Sequence, residues 1–298
     1  MLKVENLTKE FTGTCAVKNL SFSVEEGKIF GLLGPNGAGK TTTIRTILNI
    51  IKPTSGKISY NIRKPDDNFF NRIGYLPEER GLYKKSKVMD VILYLAEIKG
   101  MNTSDAKSKA AVWIEKLGLE NMPQKKLEEL SKGNQQKVQF ITAVIHDPDL
   151  IILDEPFSGF DPINQQIIKD EILSFAQSGK IVILSTHQME TAEKLCTDIL
   201  LLNKGEEVCS GALNDIKKKF GSNSVKVEYN GDGTALNSLP EVIHIDNYSN
   251  SAEVQLKEEI LPQEFLRKII SLVEVKYYSV IEPSLNKIFI DLIKQSSN

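Results

Sequence analysis

The amino-acid sequence predicts an α/β protein with a helical insert, followed by a smaller α+β domain. Residues 28–33 form a compact apolar run that suits a buried strand, and residues 149–153 and 180–184 are continuous apolar runs, which is typical of parallel strands covered on both faces. Between the first two runs, residues 86–147 carry apolar side chains at helical spacing. From residue 225 onward, strand-like and helix-like segments alternate. The 298 residues fit two domains of ordinary size.

The first 75 residues combine short apolar strands with one strong helix. Gly27 and Gly34 bound the strand at 28–33. A helix over 40–51 follows, because isoleucine and leucine recur there at i, i+3, i+4 and i+7, and Pro53 ends it. Further strands are expected at 57–60 and 72–76.

The remaining elements follow the same patterns. Apolar stripes in the insert predict helices around 88–95, 110–117 and 138–145. Beyond the insert we expect a helix from Pro162 to Gly179, a hairpin of 197–202 with 206–210, a short helix over 211–220, and strands and helices of the small domain between 225 and 298.

The domain boundary is expected near residue 220. The segment 221–224, Gly-Ser-Asn-Ser, has the composition of a linker. We therefore assign residues 1–220 to the larger domain, with the helical subdomain at about 86–147, and residues 221–298 to a C-terminal accessory domain.

Composition excludes several classes of protein. The 37 Lys and Arg residues nearly balance 39 Asp and Glu, which gives a net charge of −2. Binding nucleic acid through bulk positive charge is therefore disfavoured, and we expect no nucleic-acid partner. No apolar stretch approaches the 18 residues of a transmembrane helix, so any membrane-spanning part must belong to another chain.

A glycine-rich segment between the first strand and the first helix points to phosphate binding. It fits the pattern G-x-x-x-x-G-K-[ST], in which backbone N–H groups and a helix N-terminus cradle phosphates. The lysine of this pattern reaches the β- and γ-phosphates and the following hydroxyl binds Mg²⁺. The candidate ATP-binding residues are Gly34, Pro35, Asn36, Gly37, Ala38, Gly39, Lys40, Thr41 and Thr42.

Two acids end the apolar strand at 149–153. Asp154 is placed to hold Mg²⁺, and Glu155 to act as general base on an attacking water. On its own such a pair is equally typical of an exposed strand end. The preceding phosphate-binding loop favours the catalytic interpretation.

Further motifs follow in a fixed order. Leu130-Ser-Lys-Gly-Asn precedes an amphipathic helix, Ser158-Gly-Phe-Asp161 follows the two acids, and His187 follows the strand at 180–184. With the phosphate-binding loop, this order over residues 2–215 resembles the nucleotide-binding subunit of ATP-binding cassette (ABC) transporters. The resemblance implies a P-loop NTPase cassette with a mixed sheet and a helical subdomain, ATP and Mg²⁺ as ligands, and ATP hydrolysis.

The resemblance also implies a head-to-tail homodimer. Each ATP would lie between the P-loop of one protomer and the signature segment of the other, which here is Ser131, Lys132, Gly133 and Asn134. His187 would contact the γ-phosphate and organise Glu155, and Asp161 belongs to the D-loop of the family. Phe11 resembles the aromatic residue that stacks on adenine, with a place in the hydrophobic core as its alternative.

Two positions depart from the family pattern. Lys132 stands where the signature usually has its first glycine. Glu78 stands where the family has a glutamine. Two interpretations of Glu78 stay open: its carboxylate contacts magnesium, or its side chain swings into solvent. The pair Glu155 and His187 is intact, so an active ATPase is expected.

The branch of the family is indicated by the segments GYLPEERGLY and SKGNQQK and by the C-terminal tail from Ser284 to Leu292. They resemble bacterial subunits that carry a small C-terminal domain and serve exporters of sodium, drugs, antimicrobial peptides or polysaccharide. The resemblance implies an integral membrane permease as partner and a cytoplasmic location on the inner face of the cell membrane.

Two alternatives stay open. A soluble ABC ATPase acting on DNA or ribosomes is disfavoured by the single cassette and by the short distance, about 90 residues, between Lys40 and Ser131. A degenerate nucleotide-binding regulator is suggested by Lys132 and Glu78.

Overall fold

The computed structural model describes residues 1–60, 69–79, 81–220, 223–257 and 259–296. The described chain divides into two compact units, Met1–Ser210 and Gly211–Asn298. The boundary lies ten residues before the position expected from the sequence. The predicted linker at 221–224 begins with two residues outside the described part of the chain.

The first unit contains a sheet of mainly parallel strands, an antiparallel sheet and a set of helices. Its strands are β1 Leu2–Phe11, β2 Thr14–Val24, β3 Ile29–Leu33, β4 Ser55–Tyr60, β5 Ile73–Leu76, β6 Leu150–Asp154, β7 Ile181–Thr186, β8 Asp198–Asn203 and β9 Glu206–Ala212, whose last two residues fall in the second unit. Its helices are α1 Lys40–Ile47, α2 Val88–Ile98, α3 Thr103–Lys116, α4 Lys132–Val144, α5 Pro162–Gln177 and α6 Met189–Leu195.

The larger sheet has the strand order β5-β6-β7-β3-β8-β9. Neighbours from β5 to β8 pair in parallel, which for β6 and β7 is what their apolar runs predicted. Every residue of β3, β6 and β7 is buried, because both faces of the sheet are covered. The carboxyl ends of β3, β6 and β7 therefore meet at one edge, where the functional motifs follow.

The antiparallel sheet, in the order β2-β1-β4, is where the sequence prediction was incomplete. Short strands were expected, but β1 and β2 have 10 and 11 residues. Their pairing contains register shifts, and Asn6 and Asn19 both adopt a φ of 50°. Such irregularities break the alternation of buried and exposed residues by which a strand is detected.

The helix predicted over 40–51 ends earlier, at Ile47. Asn49 turns into the left-handed region with a φ of 55°, which stops the helix before Pro53. Among the described residues, no helix combines the length and apolar character needed to cross a bilayer.

The second unit is an α+β domain, as predicted. Its strands β10 Ser224–Asn230, β11 Val242–Tyr248, β12 Ser251–Leu256 and β13 Glu274–Ile281 form an antiparallel sheet in the order β11-β12-β10-β13. Its helices are α7 Leu213–Phe220, α8 Pro262–Ile269 and α9 Leu285–Ser296. Helix α7 contacts α9, which explains why it belongs to this unit. A separate core gathers around Val227, Val254 and Phe265.

Candidate functional site

The phosphate-binding loop runs from β3 into α1 and lies tightly against its neighbours. A Cβ atom at Gly34 would come within 2.3 Å of the carbonyl oxygen of Leu202. At Gly39, whose φ is 102°, it would come within 2.5 Å of the Ala16 oxygen. Only glycine fits such close backbone contacts, and the left-handed conformation of Gly39 favours it as well. The glycines of the motif therefore define the path of the loop.

Lys40 is a buried cation at the start of α1, with 6% of its surface exposed. Its Nζ donates to the carbonyl oxygens of Gly34 and Pro35, at 2.7 and 3.1 Å. Burial lowers the pKa of this ammonium group, while Glu155, 3.9 Å away, acts in the opposite direction. A buried cation held by loop carbonyls can exchange them for the oxygens of a phosphate.

Asp154 ends β6 beside the helix that carries Thr41. The Thr41 hydroxyl donates to Oδ2 of Asp154 at 2.9 Å. The carboxylate is 1% exposed, and burial raises its pKa. Its Oδ1 atom has no hydrogen-bond partner among the described residues. A buried oxygen without a partner next to a hydroxyl is a suitable donor set for a hard divalent cation.

Glu155 is surrounded by donors from the end of β7. Its carboxylate accepts hydrogen bonds from the backbone N–H of His187 at 2.9 Å and from the Thr186 hydroxyl at 3.2 Å. The ring Nδ1 of His187 lies 2.8 Å from Oε1 of Glu155, the oxygen that also accepts the backbone N–H of His187. Glu155 is 7% exposed, whereas the His187 side chain is 51% exposed. The acid is thus fixed in position, and the imidazole can meet a ligand from solvent.

These groups surround one cavity of about 320 Å³. It includes the buried carboxylates of Asp154 and Glu155, most of the phosphate-binding loop and the exposed Glu78. Its lining residues are Ala16, Asn36, Gly37, Ala38, Gly39, Lys40, Thr41, Thr42, Glu78, Asp154 and Glu155. The structure therefore brings Glu78 to the phosphate-binding loop, 38 positions away from Lys40 in the sequence.

The signature segment caps the helix α4. Ser131 is the N-cap residue, and its hydroxyl oxygen accepts the backbone N–H of Asn134 at 3.3 Å. Lys132 is exposed at the first helical position, and a Cβ at Gly133 would lie 3.4 Å from the Gly159 oxygen. In the described part of the chain, none of the predicted signature residues lines the cavity of the same protomer.

Asp161 has a structural role that its motif did not indicate. It caps α5 by accepting the N–H groups of Ile163 and Asn164, both at 3.0 Å. The hydrogen bond from the Asn164 backbone is the main reason why the pKa of Asp161 is lowered. Asp161 stays exposed, so its role in the D-loop remains a prediction.

Phe11 lies at the end of β1 with 47% of its surface exposed, which excludes a place in the core. The Lys9 ammonium lies 4.9 Å from the centre of its ring. Phe11 is not among the described residues that line the cavity, so its stacking on adenine stays a prediction.

Sequence reasoning missed three residues. Ala16 lines the cavity and contacts Gly39, but an alanine in a strand gives no signal. Thr186 lies inside the Ser-Thr-His run and could have been proposed from it. Gln139 in α4 donates hydrogen bonds to the loop that carries Glu78. In the sequence, the only signal for this role is a polar residue on the buried face of a helix.

Comparison with known proteins gives two matches to family models. Residues 17–158 match the model described as ABC transporter. Residues 211–293 match the C-terminal domain described as ATP-binding protein DrrA1-3-like. The second match begins at the observed boundary between the units.

Relatives and solved structures agree with these matches. The ABC transporter ATP-binding protein YhaQ of Bacillus subtilis (strain 168) is 42% identical over 98% of this chain and 98% of that protein. The linearmycin resistance ATP-binding protein LnrL of the same organism is 30% identical, again over 98% of each chain. The dimeric structure of the bacterial ABC transporter cassette MJ0796 has a TM-score of 0.65 at 25% identity, covering 72% of this chain and 99% of that one.

Proposed function

This chain belongs to the ATP-binding proteins of ABC transporters, and from that premise we propose that it energises a separate membrane permease for export. It binds and hydrolyses ATP as members of this family do. The observation that carries the assignment is the convergence of buried Lys40, Asp154 and Glu155 on one cavity at the phosphate-binding loop. The full-length similarity to a linearmycin resistance protein supports the direction of transport.

ATP binding rests on the loop and on Lys40. The ammonium group would leave the carbonyls of Gly34 and Pro35 for the β- and γ-phosphates, where it makes charge-assisted hydrogen bonds. The side chains suited to hold Mg²⁺ are Thr41 and Asp154, with Glu78 at the cavity wall. When bound, the ion would offset the negative charge of the phosphates.

Hydrolysis rests on Glu155 as the general base. Its carboxylate would take a proton from the water that attacks the γ-phosphate, and the bond between that phosphorus and the β,γ-bridging oxygen would break. His187 and Thr186 hold the carboxylate in place through their hydrogen bonds. The exposed imidazole of His187 would also contact the γ-phosphate.

A head-to-tail dimer would complete the site. The signature residues Ser131 and Gly133 are not among the described residues that line the cavity of their own protomer, and they lie at the N-terminus of α4, where anions bind well. The Ser131 hydroxyl accepts one hydrogen bond and can still donate its proton. The dimeric form of the MJ0796 cassette supports this assembly.

The permease would dock on the helical subdomain, in a groove of about 360 Å³. The groove is lined by Ser86, Asp90 and Val91 with two aromatic residues, Tyr83 and Tyr94, which are 59% and 50% exposed. Exposed tyrosines are typical of protein interfaces. A subunit docked on a membrane permease in this way would lie on the inner face of the cell membrane.

The proposal is tested by ATP turnover of the purified protein, with and without membranes that contain the permease encoded beside it. An export subunit should show basal hydrolysis that changes when the permease is present. Turnover that is indifferent to the permease would point to a soluble ATPase. ATP binding without any hydrolysis would point to a regulator.

A further inference from the structure

One buried side chain joins the signature helix to the loop that carries Glu78. Gln139 lies in α4 and is 5% exposed. Its Nε2 atom donates to the carbonyl oxygens of Pro77 and Glu79, each at 3.1 Å. These carbonyls flank Glu78 on both sides, and a primary amide has two N–H hydrogens to give. The whole donor capacity of this amide is therefore directed at one short loop.

The same helix also packs closely against the strand that leads into this loop. A Cβ atom at Gly74 in β5 would come within 2.2 Å of the Ala143 carbonyl oxygen in α4. Only glycine permits that approach, so the helix and the strand have little room to slide past each other. The loop is thus held at its start by β5 and at its tip by Gln139.

The loop faces the nucleotide cavity, whereas the start of α4 does not. Glu78 lines the cavity together with Lys40 and Asp154. Glu78 and Glu79 are both exposed, so burial of their side chains does not fix their position. The hydrogen bonds from Gln139 are a direct link between this exposed loop and the helix that begins at the signature.

We propose that Gln139 is a positioning residue that makes the loop 77–79 and the signature helix move together, so that occupancy of one ATP site is passed to the other. This inference rests on the proposed dimer, in which the loop faces the protomer's own ATP and the signature faces the partner's. Loss of the link should leave each site able to bind ATP but weaken the coupling between them. The loss of two neutral hydrogen bonds predicts an effect of about 5- to 30-fold.

The test uses the full chain and hydrogen exchange of backbone amides. The reference protein is Glu155→Gln with ATP and Mg²⁺, in which we expect slowed exchange both at Glu78 and Glu79 and in the segment 131–135. Addition of Gln139→Met should keep the protection of 131–135 and reduce that of the loop at least about fivefold. Methionine has a similar length and flexibility to glutamine but no N–H donor.

Lys137→Met is the matched control. Lys137 lies on the same helix, is 8% exposed, and donates to the Leu117 oxygen at 2.7 Å, away from the cavity. It should leave loop protection as in the reference. With Glu155 intact, Gln139→Met should lower the Hill coefficient of ATP hydrolysis toward 1, and Lys137→Met should not.

Equal loop protection in the two methionine variants would overturn the inference. If Gln139→Met fails to fold, Gln139→Asn is measured instead, because its shorter side chain keeps an amide that cannot reach both carbonyls. Failure of the reference protein to form an ATP-dependent dimer would overturn the proposed function and this inference together. A normal dimer with an unaffected loop would overturn the inference alone.

Discussion

At the scale of single residues, the candidate site consists of three buried charged side chains, Lys40, Asp154 and Glu155, which line one cavity. Glu155 adopts a φ of 49°, a left-handed conformation that costs a non-glycine residue about 1 kcal/mol. In this conformation its N–H reaches the Ser185 oxygen at 2.9 Å and its carboxylate reaches Thr186 and His187. The strain is therefore compensated by contacts that fix the carboxylate of Glu155.

Lys40 and Glu155 should separate binding from turnover. Lys40→Ala removes a charged hydrogen-bond donor from the phosphates, so ATP affinity should fall about 10- to 100-fold. Glu155→Gln keeps the shape of the side chain but loses the base, so turnover should fall about 100-fold or more while binding is retained. Nucleotide titration and phosphate release measure the two effects. Hydrolysis by Glu155→Gln at the wild-type rate would contradict the assignment.

Glu78 should tune the dependence on magnesium. A carboxylate is a stronger ligand for a hard cation than an amide carbonyl, but it also places a negative charge near the phosphates. Two like charges ~4 Å apart repel by about 1 kcal/mol in water and by ~4 kcal/mol at an effective dielectric near 20. Glu78→Gln should therefore shift the Mg²⁺ concentration for half-maximal ATPase without abolishing turnover. With the permease present, an unaltered magnesium dependence would show Glu78 to be a surface residue only.

At the scale of elements, one histidine at the junction of α4 and β6 should make the stability of the fold depend on pH. The Nε2 atom of His146 lies 3.2 Å from the Ile73 oxygen, and its buried Nδ1 has no partner in the described chain. Burial, with the positive charge of Lys99, lowers the pKa of His146 from 6.5 to about 4. The folded protein therefore keeps this ring neutral where the unfolded chain would protonate it.

The consequence is a loss of stability in acid. The contribution of His146 is complete above pH 6.5 and is lost as the pH falls toward 4, up to about 3 kcal/mol. His146→Gln does not titrate and should flatten this part of the curve. Urea unfolding between pH 7 and 4 tests this prediction. The unfolding is monitored by the fluorescence of Trp113, the single tryptophan, which lies in the first unit. His244→Gln is the control, because the side chain of His244 is 56% exposed. Parallel curves of unfolding free energy against pH for wild type and His146→Gln would contradict the prediction.

The elements also show how far sequence reasoning reaches. Strands β3, β6 and β7 were predicted because complete burial produces an unbroken apolar run. Strands β1 and β2 were not resolved individually, because their register shifts hide the periodicity. In the same way, the candidate site residues that lie within contiguous motifs could be predicted from the sequence, but the contact of Gln139 could not. It reaches Pro77 across 62 positions, and only the packing of α4 on β5 creates that contact.

At the scale of the whole molecule, assembly should depend on nucleotide. Among the described residues, those of the signature segment do not line the cavity, and in the proposed head-to-tail dimer an ATP would be enclosed between two protomers. Glu155→Gln with ATP should sediment as a dimer and should return to monomer when ATP is removed. A protein that stays monomeric well above the concentration needed for nucleotide binding would contradict the head-to-tail arrangement.

The two units should also be separable, and the position of the cut matters. The cores around Ile44 and Val254 are distinct clusters, and the candidate site lies within Met1–Ser210. A fragment of residues 1–210 should therefore fold and bind ATP. A fragment of residues 1–220 keeps α7, whose Leu213 and Ile216 are 6% and 5% exposed in the full chain.

Without α9, which α7 contacts in the second unit, the apolar face of α7 loses that cover and should promote aggregation. The shorter fragment should thus be the more soluble of the two, with equal ATP affinity per folded molecule. Light scattering and nucleotide titration on both fragments measure this difference. If 1–210 were insoluble or failed to bind ATP while 1–220 succeeded, α7 would have to be counted as part of the cassette, because its buried leucine and isoleucine would then stabilise the first unit rather than the second.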